Sequence, residues 1–410
     1  MLRSLTVSNY RSLGDSVRVE LGRLTALVGP NGSGKSNVMD ALRFVSDAMH
    51  MGLSGAITDR SGIKAVRRWS GGHPFDLKVH LELDLDDGAA GYYGFVLTGA
   101  RDDEYHVKSE TLAIADRDHH GVTFEVEEGQ WKAGPTDIRP MLDRQSLALP
   151  LVGGDQRFSR IVQHLQAISV YSIFPDTLRV PQRYSPRKPM ARHGENWVSI
   201  LRDQPAETWK PELISVLQRL TGDIEDIRIE PVAGYLVVRF RHRSENENAK
   251  WFEAGQESDG TLRVAGLVSA LLQSPAVPVI GIEEPELTVH PGAIALLYDH
   301  LIQATEQSQV IITSHSPEML DHFPVDDVRV VERHNGTTSV RPMASHQKEV
   351  VRNRLLRAPG DALVGGDPQL VAVEATAPAL EEPPPSQGTG ERCELRSRPA
   401  RCRRAPHPAR

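Results

Sequence analysis

Residues Gly29-Pro30-Asn31-Gly32-Ser33-Gly34-Lys35-Ser36 form a complete G-x-x-x-x-G-K-S phosphate-binding pattern. Its flanks match what such a cradle needs. Leu24–Val28 is an apolar, β-prone run, and Asn37–Val45 carries apolar residues at 38, 39, 41, 42 and 45, which is helical spacing. Strand, glycine loop and helix together predict a phosphate site. Gly29, Gly32 and Gly34 let the backbone turn its N–H groups inward. The start of the following helix adds positive potential. Lys35 supplies a point charge for the β- and γ-phosphates, and the Ser36 hydroxyl is a Mg²⁺ ligand candidate.

A second feature lies further along. Val277-Pro-Val-Ile-Gly-Ile-Glu283-Glu284-Pro-Glu286 reads as a buried strand ending in paired carboxylates. In nucleotide hydrolases the first such acid holds the metal through water, and the second polarises the attacking water. Gln309–Ser314 is another β-branched strand, ending at His315, a candidate sensor of the γ-phosphate. Between these features and the loop, Glu257-Ser258-Asp259-Gly260-Thr261-Leu262-Arg263 opens a helical pattern that Ser258 or Asp259 would cap. Free N–H groups at that helix start make either an ordinary cap or a second anion site.

Taken in this order, the motifs resemble the ABC-type ATPase heads of the RecF, OLD and SMC branch, and within it the RecF-like ATPases of bacteria. The resemblance rests on Leu5–Leu13, the loop at 29–37, ESDGTLR at 257–263, IEEPELTVHP at 282–291 and ITSHSPEML at 312–320, and it covers roughly residues 1–345. It implies an α/β fold: a two-lobed P-loop head with an antiparallel β region in the first lobe and a helical second lobe. It also implies ATP and Mg²⁺ as ligands, ATP hydrolysis, and a head-to-head homodimer. Each ATP would lie between the loop of one subunit, including Asn37, and the Ser258-Asp259-Gly260-Thr261 signature of the other. Ser36 and Glu283 would hold Mg²⁺, the latter through water. Glu284 would be the base, and His315 the switch histidine. Two departures stand out. No glutamine occurs between residues 50 and 100, where the family's metal-binding glutamine is sought, and Glu283 replaces the usual aspartate.

The rest of the chain is consistent with one head followed by a tail. Alternating strands are expected at Phe75–Leu85, Tyr92–Leu97, Tyr105–Ala115 and Val122–Glu127. Helices are expected around Phe158–Gln166 and over 195–222, and a hairpin over Ile224–Arg241 turned at Ala233-Gly234. Residues near 52–72 read as a Gly-rich stretch after the first helix, and Asp84-Leu-Asp86-Asp87 as a turn. The expected division is a first lobe over about 1–135 plus the C-terminal core strands, a helical and signature lobe over about 136–275, and a disordered Pro/Arg-rich tail at 346–410. No heptads separate the loop from the signature, so no coiled-coil arm is expected. No strand-helix pattern follows residue 345, so no toprim-type nuclease centre is expected there.

A formal net charge of −7 and a pI near 6.2 give no global nucleic-acid footprint, so any DNA contact must be local. One candidate is the loop bearing Arg179, Arg183, Arg187, Lys188 and Arg192, with Tyr184 offering a stacking face. A solvated loop, or one paired with nearby acids, is the alternative. Arg239, Arg241 and Arg243 form a second, weaker candidate face. No apolar run is long enough for a membrane span and no leader opens the chain, so a cytoplasmic protein without a membrane partner is expected. The two cysteines, Cys393 and Cys402, both fall in the tail. Two functions remain open: an ATPase acting on DNA in repair or defence, or an ATP-dependent switch for a separately encoded effector. A transporter subunit fits less well, because the signature is not Ser-Gly-Gly-Gln.

Overall fold

The computed structural model describes residues 1–68, 73–85, 88–115, 121–243 and 250–343. The tail, with both cysteines, and Asp86-Asp87 of the expected turn lie outside the described residues.

Two sheets dominate. β1 (Leu2–Ser8), β2 (Val17–Glu20), β4 (Leu77–Asp84), β5 (Ala90–Thr98), β6 (His106–Ala115), β7 (Gly121–Glu127) and β8 (Gln130–Ala133) form a seven-stranded antiparallel sheet in the order β2-β1-β4-β5-β6-β7-β8. The strands expected between 75 and 127 are all present. β4 alternates buried and half-exposed residues, the period of a sheet with one covered face. The central sheet has the order β16-β15-β3-β14-β13-β9. It is built from β3 (Leu24–Val28), β9 (Ile168–Tyr171), β13 (Val279–Glu283), β14 (Gln309–Ser314), β15 (Val328–His334) and β16 (Thr337–Pro342). All its pairings are parallel except β15–β16. β3, β13 and β14 are buried throughout, as expected for strands covered on both faces.

That sheet separates two cores. Leu27, Val279, Ile311 and Val331 face one, with the antiparallel sheet and α1 (Lys35–Thr58), α2 (Ile63–Val66), α3 (Ala148–Val152) and α4 (Gln156–Gln166). Ala26, Val28, Ile280, Ile282, Val310 and Ile312 face the other. There they meet α5 (Pro175–Arg179), α6 (Trp197–Asp203), α7 (Ala206–Thr221), α8 (Asp259–Leu271), α9 (Ile294–Ala304) and α10 (Pro317–Leu320). A three-stranded antiparallel sheet of β10 (Ile224–Val232), β11 (Tyr235–His242) and β12 (Lys250–Glu253) packs in the same core.

Several expectations need correction. α1 continues to Thr58 through a break at Gly52 (φ 77°, ψ 163°), so residues 52–58 belong to the first helix and do not follow it. Glycine there interrupts the helix without ending it, because the residues beyond it, Leu53, Ala56 and Ile57, still have a core to bury against. Residues 148–171, counted above with the helical lobe, pack α3 and α4 on α1 and supply β9 to the central sheet. The hairpin expected over 224–241 is present as β10 and β11, and β12 adds a third strand to it. Among the described residues no helix is long and apolar enough to cross a membrane.

Candidate functional site

Strand register assembles the site. Val28 is opposite Ser314, and Thr313 is opposite Glu283, so β3, β14 and β13 end level with one another. The residues that follow are Gly29, His315 and Glu284. In open α/β sheets ligands bind beyond the carboxyl ends of the strands, which is where these residues gather.

The loop is formed and held from outside. Gly32 and Gly34 adopt φ of 77° and 108°, conformations that L side chains rarely enter. Thr338 Oγ1, on β16, donates to the Ser33 carbonyl at 2.7 Å and lies 2.8 Å from Ser12 Oγ. Asn37 Nδ2 donates to the same Ser12 hydroxyl at 2.6 Å. The Asn37 side chain therefore faces the turn after β1. Lys35 Nζ donates to the carbonyls of Gly29 (2.6 Å) and Pro30 (3.2 Å). Burial lowers its pKa, against the raising fields of Glu284 and Glu286. Its ammonium is partly desolvated with only neutral carbonyls as partners, so an anion there would be stabilised. Ser36 is exposed at the start of α1, and Asn31 is exposed beside it.

The carboxylates behave differently from one another. Glu283 is only 8% exposed, and its Oε2 is 2.7 Å from Arg192 Nη2. The expected metal ligand is thus already ion-paired. Glu284 has φ of 47°, uncommon for a residue with a side chain. Its N–H donates to the Thr313 carbonyl, and its Oε1 lies 3.4 Å from His315 Nδ1, so the expected base and switch histidine face each other. Arg263 fixes this corner from α8, donating to the carbonyls of Ile173 (2.7 Å) and Glu284 (2.8 Å).

Glu286 is a functional candidate to which no role was assigned from its motif. Its Oε1 accepts from Ser314 Oγ at 2.6 Å and from the His315 N–H at 3.3 Å, while its Oε2 is buried without a partner. It orients the histidine's backbone. The signal was present in Glu-Glu-Pro-Glu, but a third acid after a strand looks like part of a polar loop.

Mg²⁺ suits this donor set. Among the described residues no three His, Cys, Asp or Glu side chains cluster to hold a metal. Mg²⁺ commonly takes one or two protein oxygens and completes its shell with phosphate and water. Ser36, Glu283 and the unpartnered Glu286 oxygen offer that hard-oxygen chemistry. No glutamine stands in the Ser172–Phe174 segment beyond β9, next to the acid strand. Gln182 is committed elsewhere, bonding the Gly194 carbonyl and the Val198 N–H.

The signature lies apart from the loop. Ser258 caps α8, accepting from the Thr261 N–H at 3.1 Å, and its Oγ is 2.8 Å from Thr261 Oγ1. Thr261 is buried and braces Ser258. Ser258 and Asp259 are exposed, and Asp259 pairs with Arg179. None of the hydrogen bonds or ion pairs of Ser258, Asp259 and Thr261 reaches residues 29–37.

The basic candidates divide. Arg239 pairs with Glu230 and Glu253, while Arg241 and Arg243 pair with Glu225, so these three arginines form no free basic face. Arg202 covers one face of Tyr184 at 5.0 Å, which removes that face as a stacking platform.

This fold and site define the class: an ABC-type ATPase head of the RecF, OLD and SMC branch, without a coiled-coil arm among the described residues. The chain belongs to the family described as AAA domain, putative AbiEii toxin, Type IV TA system, which matches residues 24–321. It is 25% identical over 353 residues to the OLD nuclease of Thermus scotoductus, covering 81% of this chain and 62% of that protein. It is 22% identical over 380 residues to the Old nuclease of Escherichia phage P2, covering 86% and 63% respectively. The chain thus spans less than two thirds of the length of these relatives. Among solved structures, an Smc head bound to the C-winged helix domain of ScpA matches with a TM-score of 0.51 and 15% identity, covering 85% of this chain and 99% of that one.

Proposed function

We propose that the protein binds and hydrolyses ATP at a site completed by a second copy, and that this ATP-bound dimer acts on DNA in repair, maintenance or defence. The observation that carries the reading is the level ending of β3, β13 and β14, which gathers Lys35, Glu284 and His315 while leaving Ser258 elsewhere on the surface.

Lys35 exchanges its two carbonyl partners for β- and γ-phosphate oxygens, and the loop N–H groups hold the rest of the chain of phosphates. Glu284 takes the proton of the water that attacks the γ-phosphorus as the bond to ADP breaks. His315 sits on the far side of that carboxylate and senses the γ-phosphate. Ser36 and Glu283 would hold Mg²⁺, which when bound neutralises charge on the phosphates. Ser258 and Gly260 of the second copy close the site. The similarity to OLD nucleases supports a role connected with DNA.

Mixing two inactive variants tests the shared site. Ser258→Arg and Lys35→Ala should each lack ATPase activity alone and recover part of it together, because one heterodimer site pairs an intact loop with an intact signature. No recovery despite demonstrated heterodimers would reject the shared site. A second reading, a switch that controls a separately encoded effector, is favoured by the neutralised arginines of β11. ATPase stimulated by a protein partner and not by DNA would select it.

A further inference from the structure

The segment from Arg179 to Arg192 touches two nucleotide motifs at once. At one end Arg179 contacts Asp259 of the signature. At the other, Arg192 holds Glu283 at 2.7 Å. Its middle is exposed: Arg187 and Lys188 form no ion pair among the described residues, and Arg183 lies only over the Tyr235 ring, at 5.5 Å. One expected cationic loop has therefore separated into two inward arginines and three outward cations.

The outward cations are mechanically joined to Arg192. Asn196 Nδ2 donates to the Arg187 carbonyl at 2.9 Å, and its Oδ1 accepts from the Ala191 N–H at 2.6 Å. Between them the Met190 N–H donates to Gln273 Oε1 at 2.6 Å. Buried Asn196 thus clasps both sides of the turn that carries Arg187 and Lys188 and leads directly into Arg192. Gln182 anchors the first half, exchanging backbone hydrogen bonds with Leu236 at 3.0 and 2.7 Å. Asn196 and Gln273 thus seat the turn on the fold, and Arg192, whose carbonyl accepts from the Ser172 N–H at 2.9 Å, follows it directly in the chain.

We propose that residues 179–192 are a strap that couples a bound DNA phosphodiester backbone to the ATP site, with Arg192 as the positioning residue. Without DNA, the Arg192 guanidinium occupies Glu283 Oε2, the oxygen otherwise available to a Mg²⁺-bound water. Phosphates engaging Arg187 and Lys188 draw the turn outward and release Glu283. Arg179 carries the same displacement to the signature through Asp259. DNA is the partner the geometry favours over an acidic peptide. Arg183, Arg187 and Lys188 are all exposed and none pairs with an acid among the described residues, which fits a repeating phosphate array. This inference deepens the proposed ATPase function and rests on it.

The test reads metal-dependent binding, not turnover. For full-length protein with a fluorescent non-hydrolysable ATP analogue, the Mg²⁺ concentration giving half-maximal binding is measured with and without duplex DNA. Wild type should need several-fold less Mg²⁺ when DNA is present. Arg192→Met should show that lower requirement without DNA and no further change with it, whereas Arg192→Lys should keep the DNA response. The exposed triple variant Arg183→Ala, Arg187→Ala, Lys188→Ala should lose the DNA-induced shift, and its weakened DNA binding should depend less steeply on salt.

A DNA shift that persists in Arg192→Met, or an Arg192→Met requirement equal to or above that of wild type, overturns the strap. So does absence of DNA binding by wild type, or a shift produced only by an acidic protein. If the analogue fails to bind wild type at any Mg²⁺ concentration, with Lys35→Ala indistinguishable from it, the ATPase reading itself falls.

Discussion

Gly34→Ala probes how the loop is held. Gly34 has φ of 108°, and a Cβ built there would lie 2.3 Å from Thr338 Oγ1, 2.7 Å from its Cγ2 and 2.9 Å from its Cβ. Two penalties follow. Forcing an L residue into this backbone region costs about 1–3 kcal/mol. Overpacking against β16 costs about 1–3 kcal/mol more. Thr338→Ala alone deletes the hydroxyl that serves the Ser33 carbonyl and Ser12, at a cost of about 1–3 kcal/mol. In the double variant the two closest clashing atoms are gone, while the φ penalty remains. The pair should therefore be less destabilised than the sum of the single variants by about 1–3 kcal/mol. Chemical denaturation of all four proteins measures this coupling, and ATP-analogue affinity reports the cradle in parallel. Additive effects, within error, would refute the claim that β16 is the wall against which the loop is formed. They would leave Gly34 as a purely conformational requirement.

Glu284→Gln should retain ATP binding but lower turnover by about 10²–10⁴-fold, because the amide keeps the shape and cannot take the proton. The ATP-bound dimer should then accumulate on size-exclusion chromatography. Turnover stopped by Glu283→Gln and spared by Glu284→Gln would mean the two roles are reversed. Asp40 on α1 is buried among Arg60, Arg11 and Arg43 and accepts from the Tyr10 hydroxyl. Burial pushes its carboxyl up, and the three arginines with Tyr10 outweigh this, holding the pKa at about 2. A depressed pKa contributes stability that is present above the unfolded value of 3.8 and lost as pH falls through about 2. Asp40→Asn should cost about 1–3 kcal/mol at neutral pH, because buried Arg60 loses one of its two carboxylate partners and keeps Asp47. It should also remove this step from the acid limb of a stability profile, and an unchanged limb would reject the assignment.

The local motifs were legible because their chemistry is written in adjacent residues. A glycine loop between a buried strand and an apolar helix has few other readings, and Ser258 precedes its helix as a cap should. Burial on both faces marked β3, β13 and β14, and alternation marked the antiparallel strands. β9 and β12 escaped notice because four-residue strands carry too little periodicity to register. The extension of α1 past Gly52 escaped because a glycine's effect depends on what the next turn can bury. Asn37 and Thr261 read as members of their motifs, yet each side chain is spent on bracing a neighbour.

The sequence by itself determined the class of site and the residues that bear its charge. Spacing along the chain is enough to read a lysine, a serine and a glycine turn as a phosphate-binding pattern. Only the tertiary structure decided what each charge faces. The partners of Glu283, Asp259 and Ser33 lie 91, 80 and 305 residues away along the chain. Such pairs arise from sheet order and helix packing, to which no local pattern is sensitive. The same cationic loop could have lain in solvent or against acids. Burial of Glu283 and exposure of Lys188, both set by the fold, sent its ends inward and its middle out.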